Sequence, residues 1–568
     1  MHRSFIFLLL LLFSCQQPSQ VADMVIINAE VYTIDPNKPQ AEAIAIKDGR
    51  LLKVGTRQEV NAFLGAESQV LDAQGAFVMP GFIEGHGHFS GLGFSQLNLN
   101  FLKAKNWDEI VQRVGEKAKE MAPGEWIEGR GWHQEKWDSS PGQTLYGYPF
   151  HDDLSAVSPD NPVILIHASG HSLFANAKAM EAAGISLETP DPEGGAIIRD
   201  NRGNAIGVFE ERAMGPIRSA YQAYLDQLPQ EAQTARWHKA IELAQQDCLQ
   251  KGITSFQDAG SSYTEIDRYR DLAEKGQLDL RLWAMLRHSY KDMKDNMAGF
   301  PMVDIGHQFF TCKAIKTEVD GALGAFGAWL LRPYNDKPGF SGQNTTPVSE
   351  VESIAGLAFK HDMQLCVHAI GDRANRTVLN IIEKLFQEKP SEESRRWRIE
   401  HAQHLHPNDI PRFKQLGVIA SMQGVHCTSD APFVVDRLGE ERARIGAYAW
   451  RSLIDAGAKI ANGTDAPVED VDPLPSLYAS VSRTRSDDGQ AFFPEQSMTR
   501  EEALYSYTMG NAYAAFEENQ KGSLTEGKVA DIIVLDTDLI KCEAEKMLDT
   551  KVLYTIVDGE VKYKKNGQ

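Results

Sequence analysis

His86 and His88 stand one residue apart at the end of the run Met79-Pro80-Gly81-Phe82-Ile83-Glu84-Gly85, and that spacing is the first sign of chemistry in the chain. On a strand, side chains at i and i+2 share a face, so both imidazoles can serve one metal ion. Two polar loop histidines would look the same in isolation. Four further residues argue for a metal: Lys316, His368, His401 and Asp465 each lie at the end of a predicted strand of their own. His368 follows Leu365-Cys366-Val367, His401 follows Trp397-Arg398-Ile399-Glu400, and Asp465 follows Ala461-Asn462-Gly463-Thr464. Imidazoles with a carboxylate suit zinc or another first-row divalent ion.

Lys316 is the least expected of the six, because an ammonium repels a cation. Burial at an apolar strand end would lower its pKa. The neutral amine can then add carbon dioxide and become a carbamate, an anionic ligand able to bridge two ions. The alternative is an ordinary lysine that snorkels or pairs with Glu318 or Asp320. Both readings stay open on the residues alone.

Positioning six such residues requires a parallel barrel. Strand ends are predicted near His88, Asp258, Arg287, Lys316, His368, His401, Met422 and Asp465, with helical stretches between them, for example 351–361 and 375–387. That alternation predicts an α/β protein with a TIM-type (β/α)8 barrel, whose catalytic residues gather at the C-terminal ends of the strands. The barrel is assigned to 81–519. Short strands at both ends of the chain, with turns at Lys47-Asp48-Gly49-Arg50 and Asp558-Gly559, predict a small β-sandwich domain built from 24–80 plus 520–568. After barrel strand 1 the chain makes a large insertion, about 89–250, with strand signals at Trp126–Gly129, Val163–Ile166 and Gly207–Phe209. It is too long for a loop and is expected to form a lid subdomain over the active-site mouth.

Composition bounds the remaining possibilities. The 568 residues are 42% hydrophobic and 24% charged, enough for a large core. A net charge of -20 without any basic run argues against a nucleic-acid partner. Residues 1–23 read as a lipoprotein signal peptide and tether. His2-Arg3 precede the apolar run Phe5 to Phe13, and Leu12-Phe13-Ser14-Cys15 resembles a bacterial lipobox with Cys15 as the lipidated residue. A plain secretory signal is the alternative. The lipoprotein reading places the protein at the bacterial cell envelope, held to the membrane by its N-terminal lipid alone. No acidic residue directly follows Cys15, which favours the outer membrane over the inner one. Cys248, Cys312, Cys366, Cys427 and Cys542 show neither disulfide nor zinc-ribbon spacing.

Taken together, PGFIEGHGHF (80–89), Ile315-Lys316-Thr317-Glu318-Val319-Asp320-Gly321, Val367-His368-Ala369-Ile370-Gly371-Asp372-Arg373, Arg398-Ile399-Glu400-His401-Ala402-Gln403 and Asn462-Gly463-Thr464-Asp465-Ala466-Pro467 resemble the amidohydrolase superfamily. The closer likeness is to its third subfamily, typified by N-substituted formamide deformylases. His167-Ala168-Ser169-Gly170-His171 and Gly510-Asn511-Ala512 are similar to that subfamily too. The resemblance implies His86 and His88 on one metal, His368 and His401 on a second, and Lys316 bridging them as a carbamate. Asp465 would bind the first metal and act as acid and base. Some members use one metal only. Glu84, where many relatives carry Asp, is read either as facing away from the histidines or as supporting them.

The reaction expected of such a site is hydrolysis of a non-peptide C–N bond, of N-acyl or N-formyl amide type, in a small molecule. A divalent ion brings the pKa of water to around 7, and Asp465 would carry the proton to the departing nitrogen. His171 is the candidate to hydrogen-bond the developing oxyanion. Trp132, His133, Trp137, Phe326, Trp329 and Tyr334 are candidates for an apolar pocket, and Arg373, Arg483 and Arg485 for a substrate carboxylate. The competing readings keep the metals but change the bond, to a cyclic imide, an ester or lactone, or a deaminated ring. A non-catalytic surface binding lipoprotein is the reading from outside enzymology. Barrels of this type often pair, so a homodimer is open, although no residue marks an interface.

Overall fold

The structure is a computed structural model and describes residues 20–390 and 394–566. The signal segment with Cys15 lies outside the described residues. Eight strands build the barrel: β1 (Phe82–Gly87), β2 (Ile253–Ser261), β3 (Arg281–Leu286), β4 (Phe310–Glu318), β5 (Gln364–Ala369), β6 (Arg398–His401), β7 (Ile419–Gln423) and β8 (Lys459–Gly463). Each pairs in parallel with the next, in chain order, and all end close to the expected positions. No ladder joins β8 to β1. The chain just past β8 closes that gap instead: Asp465 N donates to His86 O at 2.7 Å, and His88 N donates to Ala466 O at 2.6 Å.

Apolar periodicity explains the outer layer. In the helix Asp372–Glu388, Ala374, Val378, Leu379, Ile381 and Ile382 are buried, the three-to-four spacing of one helical face. They share a core with Ile315, Val367 and Ile399 on the outer side of β4, β5 and β6. The interior of the barrel is different. Fully buried Arg398 reaches across it, donating to Gly85 O at 2.7 Å, Ser421 Oγ at 2.7 Å, Glu400 Oε2 at 3.1 Å and Gln257 Oε1, in an ion pair with Glu400. A buried charge is tolerable only when fully paired in this way.

The two ends of the chain meet in one six-stranded sheet, where Phe77–Pro80 pairs antiparallel with Ile532–Leu535. A four-stranded sheet of N-terminal strands faces it, and Ile26, Ile44 and Val54 share an apolar cluster with Val78, Ile532 and Ile556. Between β1 and β2 the chain forms a further six-stranded sheet, which includes Ile127–Trp132, Val163–His167, Ser172–Ala175 and Ala205–Glu211. That sheet has apolar clusters of its own. Among the described residues no helix is long and apolar enough to cross a membrane. Cys312 and Cys366 are buried in β4 and β5, as apolar strand residues should be.

Candidate metal centre

The fold brings all six proposed ligands to one end of the barrel. His86 is in β1 and His88 just beyond it, Lys316 is in β4, His368 in β5 and His401 ends β6, while Asp465 follows β8. His88 Nε2 lies 3.2 Å from Asp465 Oδ1 and His86 Nε2 3.7 Å from the same oxygen. The His401 ring sits 4.8 Å from that of His86 and 4.4 Å from that of His368. His401 (φ 74°) and Asp465 (φ 60°) both adopt left-handed backbone, uncommon for residues other than glycine. Such strain gathers at functional positions.

Supporting contacts orient each ring. His86 Nδ1 meets Glu400 Oε2, which turns its Nε2 towards Asp465, and His401 Nδ1 donates to Gln423 Oε1 at 2.7 Å. Burial pushes the His86 imidazole down to about 4, and it holds His368 and His401 well below the ordinary value. Burial thus favours the neutral form of each ring, the form that carries a lone pair. Burial alone would raise Asp465, but the His88 imidazole 3.2 Å from its Oδ1, with His86 and His401 close by, holds it well below the usual carboxylate range. His86 Nε2, His368 Nε2 and Asp465 Oδ1 are buried without a hydrogen-bond partner among the described residues. Converging lone pairs on neutral imidazoles beside a carboxylate fit a divalent cation.

Lys316 is buried, and burial, then the charge of Arg287, lowers its pKa. Neither of the suggested ion pairs forms. Glu318 pairs with Arg287, and the Asp320 carboxylate accepts from Ile370 N (2.9 Å), Gly371 N (2.8 Å) and Trp329 N (2.8 Å). Glu84 is fully buried, with burial pushing it up to about 8. Its Oε1 accepts from Thr464 N at 2.8 Å and from His86 N at 3.1 Å. The supporting role, not the outward-facing one, is what these bonds describe. Position 84 also has the strand parity of 86, so alternation never favoured an outward side chain.

A cavity of about 710 Å³ opens over the ligands, lined on one side by the barrel and on the other by Arg130, His133, Lys136, His171, Glu211 and Arg218 of the 89–250 segment. His171 lies in the turn between Val163–His167 and Ser172–Ala175, with its ring 5.2 Å from that of His368. Its Nδ1 lies 3.0 Å from Glu211 Oε2. Burial opposes the charged form, but Glu211 outweighs it and raises the His171 pKa.

Two sequence expectations fail. Of the six aromatic candidates only His133 lines the cavity. Trp132 is buried in the inserted sheet, its Nε1 donating to Leu165 O at 2.8 Å, and Phe326 packs edge-on to Tyr334. The three arginines are also engaged elsewhere. Arg373 stacks near Trp329, Arg483 donates to Phe492 O and Tyr448 O, and Arg485 pairs with Asp487. Conversely, His426 in the helix Gly424–Ser429 can offer a ring nitrogen to a group with His401 and Asp465, a residue that sequence reading passed over. Its position three residues past Gln423, where a barrel strand ends, was the available signal.

Residues 69–563 match the amidohydrolase family. The protein LONG AFTER FAR-RED 3 of Arabidopsis thaliana is 31% identical over 558 residues, covering 96% of this chain and 92% of that protein. The N-substituted formamide deformylase of Arthrobacter pascens is 28% identical, over 97% of this chain and 100% of that enzyme. Among solved structures, an uncharacterized metal-dependent hydrolase from Pyrococcus horikoshii aligns with a TM-score of 0.73 at 26% identity, covering 92% of this chain and 99% of that one.

Proposed function

The chain belongs to the amidohydrolase family, and on that premise we propose that it hydrolyses a non-peptide carbon–nitrogen bond in a small N-acyl or N-formyl amide. The observation that carries this reading is the convergence of His86, His88, His368, His401 and Asp465 beneath one cavity. The choice of an amide leans on the likeness to the formamide deformylase. We assign His86, His88, Lys316, His368, His401 and Asp465 as ligands of one or two zinc ions, with Lys316 as a bridging carbamate. A depressed lysine pKa without a salt-bridge partner is the state that carbamate formation requires.

A divalent ion held there supplies a Lewis acid that polarises a carbonyl oxygen and acidifies water. Asp465 accepts the proton of the attacking water and passes it to the leaving nitrogen. The water oxygen joins the carbonyl carbon, the C–N bond breaks, and an acid and an amine leave. His171, held towards its protonated form by Glu211, donates to the carbonyl oxygen as negative charge builds there. The 89–250 segment is read as the lid, 24–80 with 520–568 as the β-sandwich domain, and Cys15 as the lipid anchor to the cell envelope.

The deciding experiment is elemental analysis of protein purified without chelator in bicarbonate, followed by a panel of formamides, acyl amides, imides, esters and lactones. About two divalent ions per chain with turnover of N-formyl amides is the expected result. Folded protein that holds no metal and turns over nothing on the panel would overturn the reading. Turnover confined to imides or esters would keep the metal centre and move the bond.

A further inference from the structure

The charges on the cavity wall are unequally matched. Every carboxylate there has a partner: Glu469 pairs with Lys136 at 2.8 Å, Glu318 with Arg287, and Glu211 with His171, while Asp430 accepts from Tyr448 Oη at 2.6 Å. Asp465 faces the histidines. Three guanidinium groups on the same wall have no carboxylate within 4.0 Å among the described residues: Arg130, Arg212 and Arg218. In a chain of net charge -20, three guanidiniums without a carboxylate partner on one wall are a local feature and not a bulk property.

Two of the three converge on one point. Arg218 Nη2 donates to Gly170 O at 3.4 Å, and a Cβ on Gly170 would lie 3.8 Å from Arg130 Nη2. Arg130 is held in place by Ala168 O at 2.9 Å and Pro467 O at 3.4 Å. Arg218 has a single carbonyl contact, leaving most of its five N–H donors free. It is exposed by surface area yet hemmed in by protein, as a cavity wall should be. Burial lowers its pKa, and the like charge of Arg287 pushes the same way. Arg130 is depressed to about 10, first by burial, with Arg218 adding to it. Clustered, desolvated guanidiniums repel one another until an anion joins them. The next residue after Gly170 is His171, whose ring stands 5.2 Å from that of His368, and Arg218 lines the same cavity as His368.

We propose that the substrate carries a carboxylate close to the bond that is cleaved, bound by Arg218 with Arg130 beside it. The inference rests on the amide reading and narrows it to small anionic amides. The test compares N-formylglycine with neutral N-propylformamide, and succinamic acid with butyramide, on metal-loaded wild type, Arg218→Ala and Arg218→Lys. Wild type should prefer the anionic member of at least one pair by roughly 10- to 100-fold in kcat/KM. Arg218→Ala should remove that preference, mainly through KM, and leave the neutral amide within about 3-fold; Arg218→Lys should restore part of it. A preference within the first pair puts the charge on the amine side, within the second on the acyl side. Equal rates for both members of both pairs, or an equal loss on each in Arg218→Ala, overturns the proposal. Calorimetric binding of N-formylglycine separates the two claims. Binding that depends on Arg218 without any amide turnover upholds the anion site and sinks the amide reading. Amide turnover with no Arg218-dependent binding does the reverse.

Discussion

At the scale of single residues, the proposed chemistry depends on Asp465 and Lys316 for different reasons. Asp465 must gain and lose a proton while His86, His88 and His401 hold their positions around it. Asp465→Asn keeps the shape but cannot take the proton, so kcat should fall by roughly 10²- to 10⁴-fold with an unchanged circular dichroism spectrum. Near-normal turnover would remove Asp465 from the acid and base role. Lys316→Ala should lose both metal and activity, and millimolar short-chain carboxylic acid should restore part of each, since the acid replaces the missing carbamate oxygens. Metal content and turnover equal to wild type would exclude a bridging lysine. These residues were legible in the sequence because each is a reactive type at the end of a short apolar run. The arginines of the cavity wall were not. Arg130 and Arg218 lie 88 positions apart on different elements, and only the folded 89–250 segment brings both to Gly170.

At the scale of elements, the barrel has a weak place where β8 meets β1. Asn511, in the helix Met509–Ala514, bridges it: Nδ2 donates to Ile83 O at 2.6 Å and Asn462 O at 2.7 Å, and Oδ1 accepts from Asn462 N at 3.0 Å. Gly85 permits the close approach, because a Cβ there would strike Asn462 O and the Asn511 amide. Truncating Asn511 to Ala leaves two carbonyls and an N–H unsatisfied in the interior, at about 1–3 kcal/mol each before relaxation. We expect Asn511→Ala to lower the denaturant midpoint, for a loss of unfolding free energy on the order of 3 kcal/mol, and to weaken metal retention, because His86 and Asp465 flank the bridge. An unchanged midpoint would mean that another contact closes the barrel. The eight strands could be read from local alternation and turn chemistry. Their closure could not, since the Asn511 to Ile83 bond spans 428 residues and no periodicity encodes it. The same holds for Arg398 and Glu400: in sequence they look like surface polar residues on a strand, whereas the fold turns them into the barrel interior.

At the scale of the whole molecule, the 89–250 segment and the barrel must stay together for the cavity to exist, and Glu210 makes the stability of that segment depend on pH. This residue lies in the strand Ala205–Glu211, next to the Glu211 that holds His171. Burial pushes Glu210 up to about 7, against the hydrogen bond that Tyr148 Oη donates at 2.8 Å, and the adjacent Glu211 adds to the rise. A raised carboxyl pKa means that the folded chain keeps a proton the unfolded chain has already lost. The stabilisation is complete below the unfolded value of about 4.5 and is lost as pH rises towards 7, after which it stays lost. Glu210→Gln keeps the acceptor for Tyr148 and removes the titration. The variant should therefore match wild type near pH 4 and exceed it at pH 8, by at most on the order of 3 kcal/mol, with water access reducing the gain. Thermal melts of both proteins at pH 4, 6 and 8 measure this directly. Parallel curves across that range would mean that Glu210 ionises freely in the folded chain. A gap that opens only with rising pH would identify ionisation of this one carboxyl as a destabilising force within the 89–250 segment, and turnover at pH 8 should then be less heat-labile in Glu210→Gln than in wild type.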